Sequence, residues 1–421
     1  MLYRFAWVLM WITFKIFFRR IDLIGLHKLK SGNPSIVIAN HPASFLDAMV
    51  LAVFLKRAVH FYVRGDIFSN PLAYKVLTML HMIPIYSMEH GIHNLSKNKR
   101  TFERGRQLLK KGKLLLIFPE GFSRQSKQLE PFKKGAARVA LQTAFEGGGV
   151  KNLSIQTVAI NYSFHNLGSN LLIRLGDALS IAGYEKQYQE FPAMAIGKLT
   201  KEMSSVFQEN VIHVEDGSRT NLAESLMRLV YHEQNLNHQS LFERFTGICK
   251  SINKLSPDEF ICREKELVDY ENALNENNFT DKGILALKNR DSLRWFCFIY
   301  CLAPIAVFGK LVWLIPGRFS VWVANKTVTR IDFYTSVLSG VLAFIGLFWW
   351  MGLGLLAYCF FGSWALVFTG LLPLYSYLYL DWKDKFVDHV AVRKLEKINK
   401  FQPQLHKKLL EQRNHLFSFN H

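Results

Sequence analysis

The chain has 421 residues, half of them hydrophobic and one fifth charged, and a formal net charge of +19. That length implies more than one compact unit, and that composition excludes a disordered, solvating chain. The five cysteines form no CxxC pair, which argues against a zinc ribbon and against a disulfide-stapled secreted scaffold.

The charge is unevenly spread. Residues 1–150 hold 23 Lys/Arg against 8 Asp/Glu, and so carry +15 of the total. Residues 333–380 hold no charged residue at all. A nucleic-acid binder has no use for such a run, so the basic front end points instead to a membrane surface, an anionic small molecule, or both.

In chain order, Met1–Phe18 is apolar and is followed by Arg19-Arg20, without a small-x-small cleavage site. This reads as an uncleaved, membrane-seated helix within an N-terminal segment 1–32. Residues 33–184 alternate short β-branched runs with helical patterns. Strands are expected at Ser35–Ala39, Val59–Val63, Met82–Tyr86, Lys113–Phe118, Ser154–Ile160 and Leu171–Leu175. Helices are expected at Ala43–Lys56, Pro71–Leu80, Leu95–Lys111 and Pro131–Phe145. The implied fold class is α/β: a largely parallel sheet flanked by helices, with a helical insertion and C-terminal membrane helices. In such sheets ligands bind beyond the carboxyl ends of strands.

Residues 185–292 read as polar helices, with Ser256-Pro257-Asp258-Glu259 a capping box. Residues 293–380 read as membrane segments. Phe333–Leu380 is about right for two spans broken near Phe361-Gly362-Ser363, since one span needs ~20 residues. Leu293–Pro316 carries Arg294, Pro304 and Lys310 and reads as a re-entrant or interfacial segment, with Pro304 interrupting it midway. Nine Lys/Arg in the tail 381–421, with Arg318, Lys326 and Arg330, place these parts and the α/β domain on the cytoplasmic side.

The chemistry lies just after the strands. His41 follows the first strand in Asn40-His41-Pro42-Ala43-Ser44-Phe45-Leu46-Asp47, and Asp47 falls about one turn into the next helix. A carboxylate holding one imidazole nitrogen leaves the other free to take a proton. After the fourth strand comes Phe118-Pro119-Glu120-Gly121-Phe122-Ser123-Arg124, followed by Lys127 and Lys133, a Gly-containing basic loop suited to phosphate. Val158-Ala159-Ile160-Asn161-Tyr162 ends the fifth strand.

Taken together, over roughly residues 1–180, this set resembles the glycerolipid acyltransferase superfamily. Its first motif is Asn-His, four variable residues and Asp, its third is Phe-Pro-Glu-Gly-Thr-Arg, and its fourth is an apolar strand. The chain departs from the pattern in three places. Five residues, not four, separate His41 and Asp47, which resembles the yeast-type glycerol-3-phosphate acyltransferase branch. Ile83-Pro84-Ile85-Tyr86 is followed by Ser87 where the second motif usually ends in Arg, and Arg124 is displaced by one place in the third.

The resemblance implies an O-acyltransferase of phosphatidic acid synthesis. His41 would be the general base oriented by Asp47. Glu120 and Gly121 would shape the acceptor pocket. Arg124 or Arg64 would hold the phosphate, with Lys127 or Lys133 assisting. The acceptor would be glycerol-3-phosphate or 1-acyl-glycerol-3-phosphate. The donor would be acyl-CoA or acyl-carrier protein, a co-substrate and not a cofactor; no metal and no nucleic acid are expected. The expected location is an integral membrane protein in contact with membrane lipid. The rival readings are a lysophospholipid-remodelling acyltransferase and a non-catalytic membrane scaffold that kept the fold.

Overall fold

The computed structural model describes the chain apart from residues 31, 87–94, 151, 234–235, 287–297, 402 and 419–421. Ser87 and the start of the Leu293–Pro316 stretch, including Arg294, lie outside the described residues.

Among the described residues seven strands build one sheet: β1 Arg20–Ile24, β2 Ser35–Ala39, β3 Val59–Arg64, β4 Met82–Ile85, β5 Leu114–Ile117, β6 Ser154–Tyr162 and β7 Asn170–Ser180. The order is β1-β7-β6-β2-β5-β3-β4. Pairing is parallel except between β6 and β7. The six expected strands are present, and β2 has the expected bounds. The sequence placed residues 1–32 outside the α/β domain, but β1 pairs in parallel with β7 from Arg20 to Ile24 and belongs to the sheet. Its five residues, Arg-Ile-Asp-Leu-Ile, were hidden behind the apolar segment and its basic pair.

β2 is central and fully buried, as a β-branched run in a parallel sheet should be. Its side chains alternate between two cores. Val37 and Ala39 face one, shared with Leu114, Leu116, Val158, Ile160 and Tyr162. Ile36 and Ile38 face the other, with Leu115, Ile155 and Ala159. Helices α4 (Leu95–Lys110), α5 (Gly135–Phe145) and α7 (Pro192–Gln208) cover this second face, α6 (Glu185–Glu190) packing beside α7. On the first face lie α1 (Leu2–Phe17) and α2 (Phe45–Phe54). The helix α3 is Pro71–Met79, started by Asn70, whose side chain accepts the Leu72 N–H.

Of the region 185–292 expected as a helical insertion, α7 packs on the sheet with α6 beside it, and both belong to the α/β unit, because Ala195, Leu199, Met203 and Phe207 supply an apolar face to its core. The insertion itself comprises α8 (Thr220–Val230), α9 (His238–Lys254), α10 (Pro257–Glu276) and α11 (Asp281–Ala286). The Ser256/Glu259 capping box is formed at the start of α10. Toward the C-terminus come α12 (Ala303–Thr327), α13 (Tyr334–Phe361), α14 (Ala365–Gly370), α15 (Leu372–Phe401) and α16 (Pro403–Leu416). Among the described residues two helical stretches, Ala303–Thr327 and Ile331–Gly370, are long and apolar enough to cross a membrane. The expected break falls at Gly362, whose φ of 65° and ψ of −159° suit glycine almost alone.

The stretch expected to re-enter continues as one 25-residue helix past Pro316 to Thr327. Pro304, expected to interrupt it midway, sits in its first turn, where its missing N–H costs nothing. Inside the helix, Pro316 leaves the Val312 carbonyl without its N–H, and the Trp349 indole donates to it at 2.9 Å. Likewise α15 runs unbroken across the expected boundary at 380/381. Ala324, Leu338 and Leu342 belong to the same core as Val37 and Leu46, so these helices are continuous with the α/β unit.

The tail is docked. Leu395, Leu409, Leu416 and Phe417 join a third core with α8, α9 and α10. Buried Arg413 donates from Nε to Asp281 Oδ1 at 2.8 Å and from Nη2 to the Leu229 carbonyl at 3.0 Å. Asp281 also meets His232 Nδ1 at 2.8 Å and accepts the Tyr270 hydroxyl. Removing one member of a buried pair strands the other. Arg413→Met should therefore destabilise the helical insertion by about 3 kcal/mol, read as a lowered denaturant midpoint.

Candidate active site

The site grows from the end of β2. Where the strand's own ladder stops, the Asn40 amide continues it: Nδ2 donates to the Ile160 carbonyl and Oδ1 accepts the Ile160 N–H, both at 2.8 Å. The next residue is thereby aimed out of the sheet. The His41 N–H donates to Glu120 Oε1 at 3.0 Å, and its carbonyl accepts the Arg124 N–H at 3.1 Å. The ring stacks on Phe118, with centroids 3.9 Å apart and planes 11° apart.

The five residues between His41 and Asp47 are spanned by a tight turn, with Ser44 at φ 53°. They still bring Asp47 Oδ2 to 2.9 Å from His41 Nδ1. Asp47 is fully buried in the first turn of α2. Its Oδ2 also accepts the Ala43 N–H at 2.8 Å, and its Oδ1 accepts the Tyr162 hydroxyl at 2.8 Å. A carboxylate already accepting two donors takes its third from His41, so Nδ1 carries the proton and Nε2 is left as the acceptor.

The cleft beside His41 is lined by Asn40, Glu120, Arg124, Lys127 and Asn161, among others. Glu120 is buried, and burial pushes its carboxyl up to about 7, against the opposing pull of the His41 and Glu130 N–H groups. Gly121 has φ 77°, and a Cβ there would stand 2.7 Å from Lys133 Nζ. Arg124 is exposed, with Nη1 2.8 Å from Glu130 Oε1. Lys127 is buried: Nζ donates to the Tyr162 carbonyl at 2.7 Å and lies 3.7 Å from Glu224 of α8. The Asn161 side chain is buried, and its Nδ2 has no hydrogen-bond partner among the described residues.

Three expected contributors, Gly121, Arg64 and Lys133, stand apart from the cleft lining; the open side of the Gly121 Cα faces Lys133. Arg64 is exposed at the end of β3 and pairs with Asp66 at 2.8 Å. Lys133 Nζ lies over the Phe122 ring at 5.4 Å, while its backbone N–H holds the Pro119 carbonyl at 2.7 Å. Conversely, Asn40, Phe118, Asn161 and Tyr162 lay inside the motifs but had no role assigned. Glu224 carried no local signal, since only tertiary packing brings α8 to the cleft. Among the described residues no group of three or more His, Cys, Asp or Glu side chains is placed to hold a metal ion.

A carboxyl that prefers to be neutral when folded costs stability once it ionises. Between its ordinary value of 4.5 and about 7, the folded chain holds the Glu120 proton more tightly than the unfolded chain does, so this contribution to stability is lost as pH rises. Glu120→Gln cannot ionise. Its melting temperature relative to the parent chain should therefore climb as pH rises from 5 to 8. A pH-independent difference would place the Glu120 titration elsewhere.

Residues 20–161 match the family model described as Acyltransferase. The chain is 31% identical over 136 residues to the chloroplastic 1-acyl-sn-glycerol-3-phosphate acyltransferase BAT2 of Brassica napus, covering 32% of this chain and 38% of that protein. It is 32% identical over 136 residues to the chloroplastic 1-acyl-sn-glycerol-3-phosphate acyltransferase LPAT1 of Arabidopsis thaliana, covering 32% and 36%. The matched region thus spans less than two fifths of these relatives' length. A solved structure, that of the 1-acyl-sn-glycerophosphate (LPA) acyltransferase PlsC from Thermotoga maritima, is similar at 16% identity and a TM-score of 0.31, covering 44% of this chain and 72% of that one. The matched region begins at β1, contains the His41–Asp47 pair and the Glu120 loop, and runs into β6 as far as Asn161. Residues 20–161 are therefore similar to an Acyltransferase domain, and the rest of the chain lies outside that match.

Proposed function

We propose that the protein transfers a fatty acyl group from an acyl thioester to a hydroxyl of a phosphorylated glycerol lipid, 1-acyl-glycerol-3-phosphate being favoured over glycerol-3-phosphate. One observation carries the reading: a His41 imidazole, held by buried Asp47 at 2.9 Å, opens onto a cleft that also offers Arg124, Lys127 and the unpaired Asn161 amide. The relatives' names favour the monoacyl acceptor over the unacylated one that the five-residue spacing suggested.

In this reading His41 Nε2 takes the proton of the acceptor hydroxyl as its oxygen attacks the thioester carbonyl. Asp47 stabilises the imidazolium that forms. The tetrahedral adduct collapses, the C–S bond breaks, and the thiolate leaves with the proton from His41. The products are an ester and a free thiol. Arg124 is the favoured phosphate grip: it lines the cleft, it is exposed, and its guanidinium can exchange Glu130 for a phosphate in a bidentate contact. Lys127 is less available, being spent on the Tyr162 carbonyl and Glu224.

A membrane-seated site suits this chemistry, because the acceptor is a lipid. Phe344, Phe348, Leu355, Phe360 and Phe361 of α13 are exposed and would face acyl chains. The charge pattern keeps the α/β unit and the basic segments on the cytoplasmic side.

The purified protein, given labelled acyl-CoA or acyl-carrier protein and a panel of acceptors, should yield labelled phosphatidic acid from 1-acyl-glycerol-3-phosphate. A product formed from a headgroup-bearing lysophospholipid alone would favour the remodelling reading, and no product with any acceptor would favour the scaffold. In the same assay Arg124→Lys, which keeps charge but loses the fork, should raise the acceptor KM about tenfold and leave the donor KM nearly unchanged.

A further inference from the structure

The N-terminus of α2 carries Asp47 and leaves first-turn N–H groups to be satisfied. Ser44, at the N-cap position, makes no side-chain cap. The hydroxyl comes from 290 residues away. Ser336, in the first turn of α13, accepts the Leu46 N–H at 2.8 Å and donates to the Ala43 carbonyl at 2.7 Å. It thus straddles two backbone groups that face each other directly at 3.2 Å. Ser336 is buried, so this bridge is shielded from water.

Four residues earlier the same segment holds the second loop of the site. The Ser123 hydroxyl donates to the buried Asp332 carboxylate. Arg330 Nη2 donates to the Ser123 carbonyl at 3.4 Å and pairs with Asp332 at 3.0 Å. Residues 330–336 therefore clasp both the 41–47 loop and the 118–124 loop, which are themselves joined through His41, Glu120 and Arg124. This segment lies outside the matched acyltransferase region, so nothing in the family pattern assigns it a part.

We propose that Ser336 and Asp332, at the base of the apolar helix α13, are positioning residues for the His41–Asp47 pair. This rests on the acyl-transfer reading given above. Ser336 completes the turn that carries Asp47 toward His41, and Asp332 fixes the loop that receives the His41 backbone. Seating α13 and assembling the site are then one event: the helix with the exposed aromatic residues begins two residues before the hydroxyl that caps α2.

The test is Ser336→Ala in the full-length protein in detergent or vesicles. A loosened pair loses turnover without losing binding, so kcat should fall about 10- to 100-fold while both KM values stay within about twofold. Ser336→Thr keeps the hydroxyl and should retain most of kcat. Independently of activity, the peptide-level rate of carbethoxylation of His41 by diethyl pyrocarbonate should rise severalfold in Ser336→Ala and stay near the parent rate in Ser336→Thr. Asp332→Asn should show the same split, and it serves if Ser336→Ala does not fold by thermal melting. Ser336→Ala turning over like the parent would overturn the proposal, as would a loss of kcat with His41 reactivity unchanged. If the parent chain transfers no acyl group, the functional reading falls, while His41 reactivity still tests the clasp.

Discussion

The two hydrogen bonds between the Asn40 side chain and the backbone of Ile160 decide where β2 stops and which way the chain leaves it. Each is worth only about 1 kcal/mol net, but leaving the buried Ile160 groups unmet would cost more. The strand end is thus fixed, and His41 emerges at a single angle. Its N–H meets Glu120, its carbonyl meets Arg124, and its ring lies flat on Phe118. With backbone and ring both held, one carboxylate suffices to set the tautomer. Asp47 can do this because Ala43 and Tyr162 fill its other lone pairs, so the buried charge is met by three donors.

The apolar helices are part of the same construction. α1, α2, α12 and α13 share a core with one face of the sheet, and that face carries Val37, Ala39 and Tyr162. A sheet that lies against α/β helices on one side and membrane-type helices on the other places its carboxyl-end cleft near the level where α13 begins. The helical insertion closes the far side, bringing Glu224 to Lys127 and binding the tail through Arg413 and Asp281.

The strands were legible because a buried parallel sheet writes continuous β-branched runs, as in Ser35–Ala39. β1 was not, since five residues next to an apolar helix and two arginines give no periodicity of their own. The end of α13 was legible at Gly362, but the continuation of α12 past Pro316 was not. A proline inside a helix looks like a break until the Trp349 indole N–H that meets the Val312 carbonyl, the one Pro316 leaves without a donor, is seen. At the site, the spacing allowed His41 and Asp47 to pair, because one helical turn can return a carboxylate to the strand end, and the motif resemblance singled the pair out. Arg64 was an equal candidate with Arg124 in the sequence, and only the structure sets it beside Asp66 at the end of β3, away from the cleft lining. Ser336 and Glu224 had no signal: contacts across 290 and 97 positions depend on how whole layers pack.

The central claim is that His41 is the base of an acyl transfer. It is tested most directly by the single-turnover rate of purified His41→Ala with labelled acyl thioester and 1-acyl-glycerol-3-phosphate, measured beside the parent protein. Loss of a general base should slow the chemical step by about 10²–10⁴-fold, with fold and membrane association unchanged. A His41→Ala protein that forms ester at close to the parent rate would contradict the account.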